Sequence, residues 1–257
     1  MEKLSKLTES TEEKVSRNSE LFGKALESKG LSYADVYRIL NEHGITDYNY
    51  IIDKDGNLIE QEDKGYLGDR DYHGSDNGER THAQKELDCV VGNIQERLFC
   101  IDNVEFIPNP KATTGNVDTD KGITTNHLDL IHKPTGAEVE LKNSFCDEIN
   151  DKYNTVTYKH RDAHFAEFLR KGYIMIVNFP YLNKVAVFDY KNFKDPDKGK
   201  DKGSVRIIVP DKVDKYGKHW DIVSIWSGLL IDYDMMKNGN HKISDKVSEI
   251  VKRKEVK

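Results

Sequence analysis

His127-Leu128-Asp129-Leu130-Ile131-His132-Lys133-Pro134-Thr135-Gly136-Ala137-Glu138-Val139-Glu140-Leu141-Lys142-Asn143 reads as two strands joined at a Lys-Pro-Thr-Gly turn. With four residues in the loop, His132 faces Ala137. Opposed positions then carry numbers that sum to 269, which sets Asp129 across from Glu140. Opposed residues share a face of the sheet, and like charges so placed destabilise the pair unless something positive offsets them. Alternation along 138–142 turns Glu138, Glu140 and Lys142 to that face and Val139 and Leu141 to the other, which is expected to be core.

Outward from the hairpin, apolar residues at Ala83, Leu87, Val90, Val91, Ile94 and Leu98 fall on one side of a helix spanning Glu79–Cys100. A strand is expected at Ile101–Ile107, then a Pro/Gly/Thr loop over 108–125. Beyond the hairpin, a helix is expected over roughly 154–171, closed by Gly172. Apolar strands follow at Tyr173–Phe179, Lys184–Tyr190 and Val205–Val209, then an apolar run at Ile222–Ile231 and a basic helix over 241–255. The charged loop 194–203 separates the second and third of these strands.

Residues 1–43 read as helical, with Leu21, Phe22, Ala25 and Leu26 at helical spacing, Gly30 as a stop, and Val36, Tyr37 and Leu40 beyond it. Tyr50–Ile59 reads as two apolar strands about Asp55-Gly56. It is not a calcium loop, since Gly56 stands at position 4 counted from Asp53, where such a loop needs glycine at position 6. The stretch 60–80, dense in Asp, Gly and Asn, is the candidate boundary. This gives an N-terminal helical and hairpin extension over 1–64 and a main domain over 79–257.

The chain has 257 residues, a net charge of −6 and no apolar run of the ~20 residues a membrane span requires, so no membrane association is expected. From Met1 the sequence turns polar, without the apolar core of a secretory signal, and a cytoplasmic location is expected. Three scattered cysteines, Cys89, Cys100 and Cys146, suit neither a disulfide framework nor a zinc pair and are expected to be buried apolar side chains. Charge is unevenly spread. Residues 151–257 carry 22 basic and 15 acidic side chains, which makes that third of an acidic chain basic and able to meet phosphates.

Two opposed carboxylates beside a backbone carbonyl, that of Leu141, form a hard, all-oxygen set suited to Mg²⁺. Lys142 reaches the same edge, where it can position or deprotonate an attacking water. The alternative is an ordinary salt-bridged hairpin in which Lys142 neutralises one carboxylate.

Asp129, then Glu140 eleven positions on, then Leu141-Lys142, within an α-β-β-β-α-β order over 79–190, resembles the PD-(D/E)XK nuclease superfamily. Leu128 stands where that family often has Pro before the Asp. The resemblance implies an α/β restriction-endonuclease-like core, a mixed central sheet flanked by helices. It implies catalysis by Asp129, Glu140 and Lys142, with metal held by Asp129, Glu140 and the Leu141 carbonyl. The metal so implied is Mg²⁺, for which Mn²⁺ can substitute. The resemblance further implies a Glu from the preceding helix, where Glu86 and Glu79 both lie at the flank of the apolar face and Glu86 is the choice, and a cation on the helix after the motif, Lys159 or Arg161, to hold the scissile phosphate or the water. The implied function is a DNA endonuclease of restriction, phage or repair type, acting as a homodimer; an RNA-directed nuclease or a catalytically silent nucleic-acid-binding module on the same fold are the alternatives.

Lys215 and Lys218, in a stretch mixing charge, Gly and aromatics, are further candidates to follow a phosphate backbone, with Tyr216 or Trp220 stacking on a base. His127 and His132 offer no closed zinc set, and strand-edge hydrogen bonding is expected of them.

Overall fold

The computed structural model describes residues 17–45, 50–52, 58–60, 82–110, 127–161, 165–213, 219–237 and 241–255. They fall into two compact units that divide after Leu98. No described helix is long and apolar enough to cross a membrane.

The first unit holds helices α1 (Arg17–Glu27) and α2 (Tyr33–Glu42), a two-stranded ribbon of β1 (Tyr50–Ile52) and β2 (Leu58–Glu60), and most of helix α3 (His82–Asp102). Phe22, Ala25, Leu26, Val36, Tyr37 and Leu40 are all buried, on the faces their spacing predicted. Ser32 caps α2 in a reciprocal box with Asp35. The ribbon is antiparallel and pairs Ile51 with Ile59. Its turn, 53–57, lies outside the described residues, as does the expected boundary at 60–80 apart from Glu60, which ends β2.

The second unit is built on a six-stranded mixed sheet in the order β11-β8-β7-β5-β4-β3. Its strands are β3 (Phe106–Pro108), β4 (Leu130–His132), β5 (Ala137–Asn143), β7 (Ile174–Phe179), β8 (Lys184–Phe188) and β11 (Leu230–Asp232). The first three form an antiparallel meander, and β7 then lies parallel to β5. All six side chains of β7 are buried, the pattern of a central strand covered on both faces.

One face, which carries Leu130, His132, Val139, Leu141 and Ile176, is apolar and meets helix α5 (His241–Glu255). Ile243, Val247 and Ile250 recur on α5 at helical spacing and are fully buried, each contributing roughly 1.5–3 kcal/mol. His132 is buried at this junction, its ring bonded to Thr135 Oγ1 at 2.7 Å and to Ser244 Oγ of α5 at 2.8 Å. Arg253, in the last turn, closes on Asp189 at 2.6 Å.

The other face of the mixed sheet meets a second sheet that the sequence reading did not anticipate. It is antiparallel, in the order β6-β10-β9, from β6 (Thr155–Arg161), β9 (Val205–Val213) and β10 (His219–Trp226). Val156, Tyr158, Val205, Val223 and Ile225 point inward and pack with Met175, Val177, Ala186 and Phe188 of the mixed sheet. Phe165 and Leu169 of the short helix α4 (Phe165–Arg170) complete this core.

Two expectations are corrected here. The helix expected over 154–171 is instead strand β6 followed by the six residues of α4. Thr155-Val156-Thr157-Tyr158 alternates exposed and buried positions, and β-branched residues favour a pleated surface. The strand expected at Ile101–Ile107 begins only at Phe106, because α3 runs on through Asp102, whose carboxylate accepts from Tyr233 and the Met236 N–H. Of the cysteines, which were expected to be buried, Cys100 and Cys146 are only half-buried, and neither is in a disulfide.

Candidate active site

The hairpin has the register its turn length required: Leu130 pairs with Val139, Ile131 with Glu138 and His132 with Ala137. Residues 133–136 form the turn, and Gly136 takes a positive φ of 69° that a side chain would strain. One step beyond the ladder, the same register brings Asp129 opposite Glu140. The like charge is offset, as the hairpin demanded. Lys142 Nζ lies 3.2 Å from Asp129 Oδ2 and forms a closer ion pair with Glu140. Asp129 Oδ2 also accepts the Leu141 N–H at 3.0 Å.

The site is part-buried. Side-chain exposure is 22% for Asp129, 15% for Glu140 and 38% for Lys142, so the Lys142 side chain as a whole is the most open of the three. Burial raises the Glu140 carboxyl above the usual range, the Asp129 charge adds to the shift, and Lys142 opposes both. Burial works against the Lys142 ammonium, but the two carboxylates outweigh it and hold its pKa well above the ordinary lysine value. In this arrangement Lys142 is therefore a hydrogen-bond donor and a positive charge, not a base.

Three neighbours that the sequence reading did not select hold the site in shape. Asn109 is buried and clamps the stretch before β4 where no proline stiffens it: its backbone N–H donates to the Asp129 carbonyl and its Nδ2 to the Leu128 carbonyl, both at 2.9 Å. Glu138 accepts the Leu128 N–H at 3.0 Å and meets His127 Nδ1 at 2.9 Å. Burial would raise the Glu138 carboxyl, yet these partners hold it below the usual range. His127, which the register would have set against Lys142, bonds Glu138 instead.

Tyr158 of β6 is buried close enough to Lys142, Glu140 and Asp129 for their charges to act on it, and its hydroxyl lies 3.1 Å from His160 Nδ1. The alternation at 155–158 was the available signal for Tyr158. Asn109 had none, because its partners lie 19 and 20 positions away.

Of the remaining candidates, Lys159 lies on β6 rather than on a helix; it is exposed, and strand alternation points it away from Lys142, opposite to Tyr158. Arg161 ends the same strand, paired with Trp220. The side chain of Glu86, on α3, lies outside the described residues, as do Lys215 and Lys218. The charged loop 194–203 is pinned by Arg170, which grips Asp195 at 2.6 and 2.7 Å and Asp197 at 2.9 Å. Among the described residues no three or more His, Cys, Asp or Glu side chains are grouped so as to hold a metal ion by themselves. The acidic pair at this site is Asp129 and Glu140.

Comparison of the chain with protein-family models, curated proteins and solved structures finds no match.

Proposed function

We propose that the chain is a Mg²⁺-dependent endonuclease that hydrolyses phosphodiester bonds in DNA, of the PD-(D/E)XK type. The observation that carries this reading is the convergence of Asp129, Glu140 and Lys142 on one part-exposed edge of the hairpin. The antiparallel meander β3-β4-β5 with β7 parallel to its last strand supports a restriction-endonuclease-like core.

The donor set suits a divalent ion. Two carboxylates against one ammonium leave an excess negative charge at an all-oxygen site, which a hard cation satisfies. Asp129 and Glu140 would hold the ion, with the Leu141 carbonyl as a third oxygen. Once bound, it supplies a Lewis acid and a water acidic enough to attack at neutral pH. The chain's own groups do the rest. The Leu141 N–H and the Asn109 clamp fix Asp129, Glu140 is held between its apolar neighbours and Lys142, and the ammonium donates to the attacking water or to the charge developing on the phosphate.

The test is incubation of supercoiled and linear DNA, with single-stranded RNA alongside, with wild type and with Asp129→Ala and Lys142→Ala, in Mg²⁺ or in EDTA. Metal-dependent DNA cleavage lost in both variants is expected. Cleavage that survives EDTA or both substitutions defeats the assignment, and preferential RNA cleavage moves it to the RNA-directed alternative.

A further inference from the structure

The β6-β10-β9 sheet has a second face, turned away from the core it shares with the mixed sheet. Inward positions on β10 are Val223 and Ile225, paired with Tyr158 and Val156 of β6, so Trp220, Ile222 and Trp226 alternate to the other face, where Trp226 is exposed, Trp220 and Ile222 are half-buried, and Ser224 between them is buried. The only two tryptophans of the chain therefore share one face.

The cations of this sheet gather there too. Lys159 pairs with Ile222, Arg206 with Ser224 and Lys212 with Trp220; all three are exposed, and none forms an ion pair with a described residue. Only two acidic residues occur in the three strands. Asp221 is buried on the inner face, accepting from the Phe165 and Asp211 N–H groups, and Asp211 sits at a bulge with φ of 44°.

Trp226 is 48% exposed, and its six-membered ring rests directly over Gly228, where a Cβ would come within 2.2–2.6 Å of three ring carbons. The glycine thus seats the indole in one place while about half of it stays open. Tyr153, 56% exposed with the Lys152 ammonium 5.1 Å from its ring centre, stands in the turn that leads into β6 at the same end of the sheet.

We propose that this outer face is a binding platform for single-stranded nucleic acid, with Lys159, Arg206 and Lys212 following the phosphates and Trp226, seconded by Trp220, stacking on bases. Cations alone would suit any polyanion. An indole seated on Gly228 at the end of the same face selects a ligand that alternates charge with exposed aromatic faces, which a single strand offers and a base-paired duplex hides. The platform does not rest on the nuclease reading: Lys159 points away from the side of β6 on which Tyr158 meets Lys142.

Because both tryptophans lie on the face, their fluorescence reports occupancy. The full chain is titrated in EDTA with thymidine and uridine oligonucleotides of about 15 nucleotides, with the same DNA as a duplex, and with heparin and poly-glutamate. Expected are quenching by either single strand, much weaker binding of the duplex and the two polyanions, and a log–log salt slope near −2, since each neutralised phosphate on a single strand contributes about −0.7. Lys159→Glu and Arg206→Glu should each weaken binding about tenfold and flatten the slope, and Trp226→Ala should weaken it about tenfold at unchanged slope. Circular dichroism establishes that each variant is folded. Absence of quenching, equal binding of heparin, or wild-type affinity in the folded charge reversals would each overturn the proposal.

Discussion

Replacing Lys142 by Met separates a metal-seeking carboxylate pair from a merely structural salt bridge. The substitution keeps the length of the side chain and removes the one cation shared by Asp129 and Glu140. Removing a partner from a fully buried ion pair costs about 3–5 kcal/mol. Here the carboxylates keep 22% and 15% of their side-chain exposure, and solvent screening brings the expected loss to roughly 1–3 kcal/mol.

If the pair is built for a divalent ion, Mg²⁺ can take over the neutralising role. Ion at ten times its dissociation constant returns about 1.4 kcal/mol, and it should bind the variant more tightly than wild type because no ammonium competes. Urea unfolding in EDTA and in rising Mg²⁺ measures both effects. The expected result is a variant less stable than wild type in EDTA, restored preferentially by Mg²⁺, and inactive on DNA in either case. An equal Mg²⁺ increment in both proteins would refute the reasoning, as would a variant as stable as wild type without metal.

Asn109→Ala removes the buried donor to the Leu128 carbonyl; a loss of about 1–3 kcal/mol is expected by urea unfolding, with a fall in cleavage rate larger than the fall in substrate affinity, because Asp129 loses its alignment. Arg170→Met leaves Asp195, 1% exposed, with Tyr190 as its remaining side-chain donor, and should cost about 2–4 kcal/mol. The Arg170 hydrogen bond holds the Asp195 carboxyl below the usual range, so its contribution is present above pH ~4 and is lost as pH falls below that toward the folded-state value; the variant's acid unfolding curve should lack that component. His132→Gln breaks the bonds to Thr135 and Ser244, at a cost of about 1–3 kcal/mol. Burial lowers the His132 pKa, so below pH ~6.5 the unfolded chain binds the extra proton and wild-type stability declines with falling pH; stability measured against pH should show that slope in wild type and not in the variant.

What could be read from the residues was whatever short-range chemistry determined. The 127–143 hairpin follows from its turn length and from the alternation of 138–142, and those two facts together place Asp129, Glu140 and Lys142. The apolar runs at 173–179 and 184–190 and the basic helix over 241–255 were legible for the same reason. Strand β6 was not. Its partner β10 lies more than fifty positions on, with Thr157 paired to Ser224, and nothing local says that a Thr-Val-Thr-Tyr run will find that edge rather than join the helix that Phe165 and Leu169 begin. The loss of Tyr158 and the misplacement of Lys159 follow directly from that one misreading.

The second sheet also explains why the site is only half-buried. A carboxylate pair on the open face of an antiparallel hairpin would be screened by water and would neither shift its own pKa nor hold a lysine in place. By covering the Met175 and Val177 side of the mixed sheet and setting Tyr158 beside Lys142, β6 and β10 lower the local polarity until the two carboxylates must share a cation. They stop short of sealing it, since Lys142 keeps 38% of its side chain in solvent. That intermediate burial is what the proposed chemistry requires: enough to make the demand for positive charge strong, and not so much that a phosphate could not reach the ion that meets it.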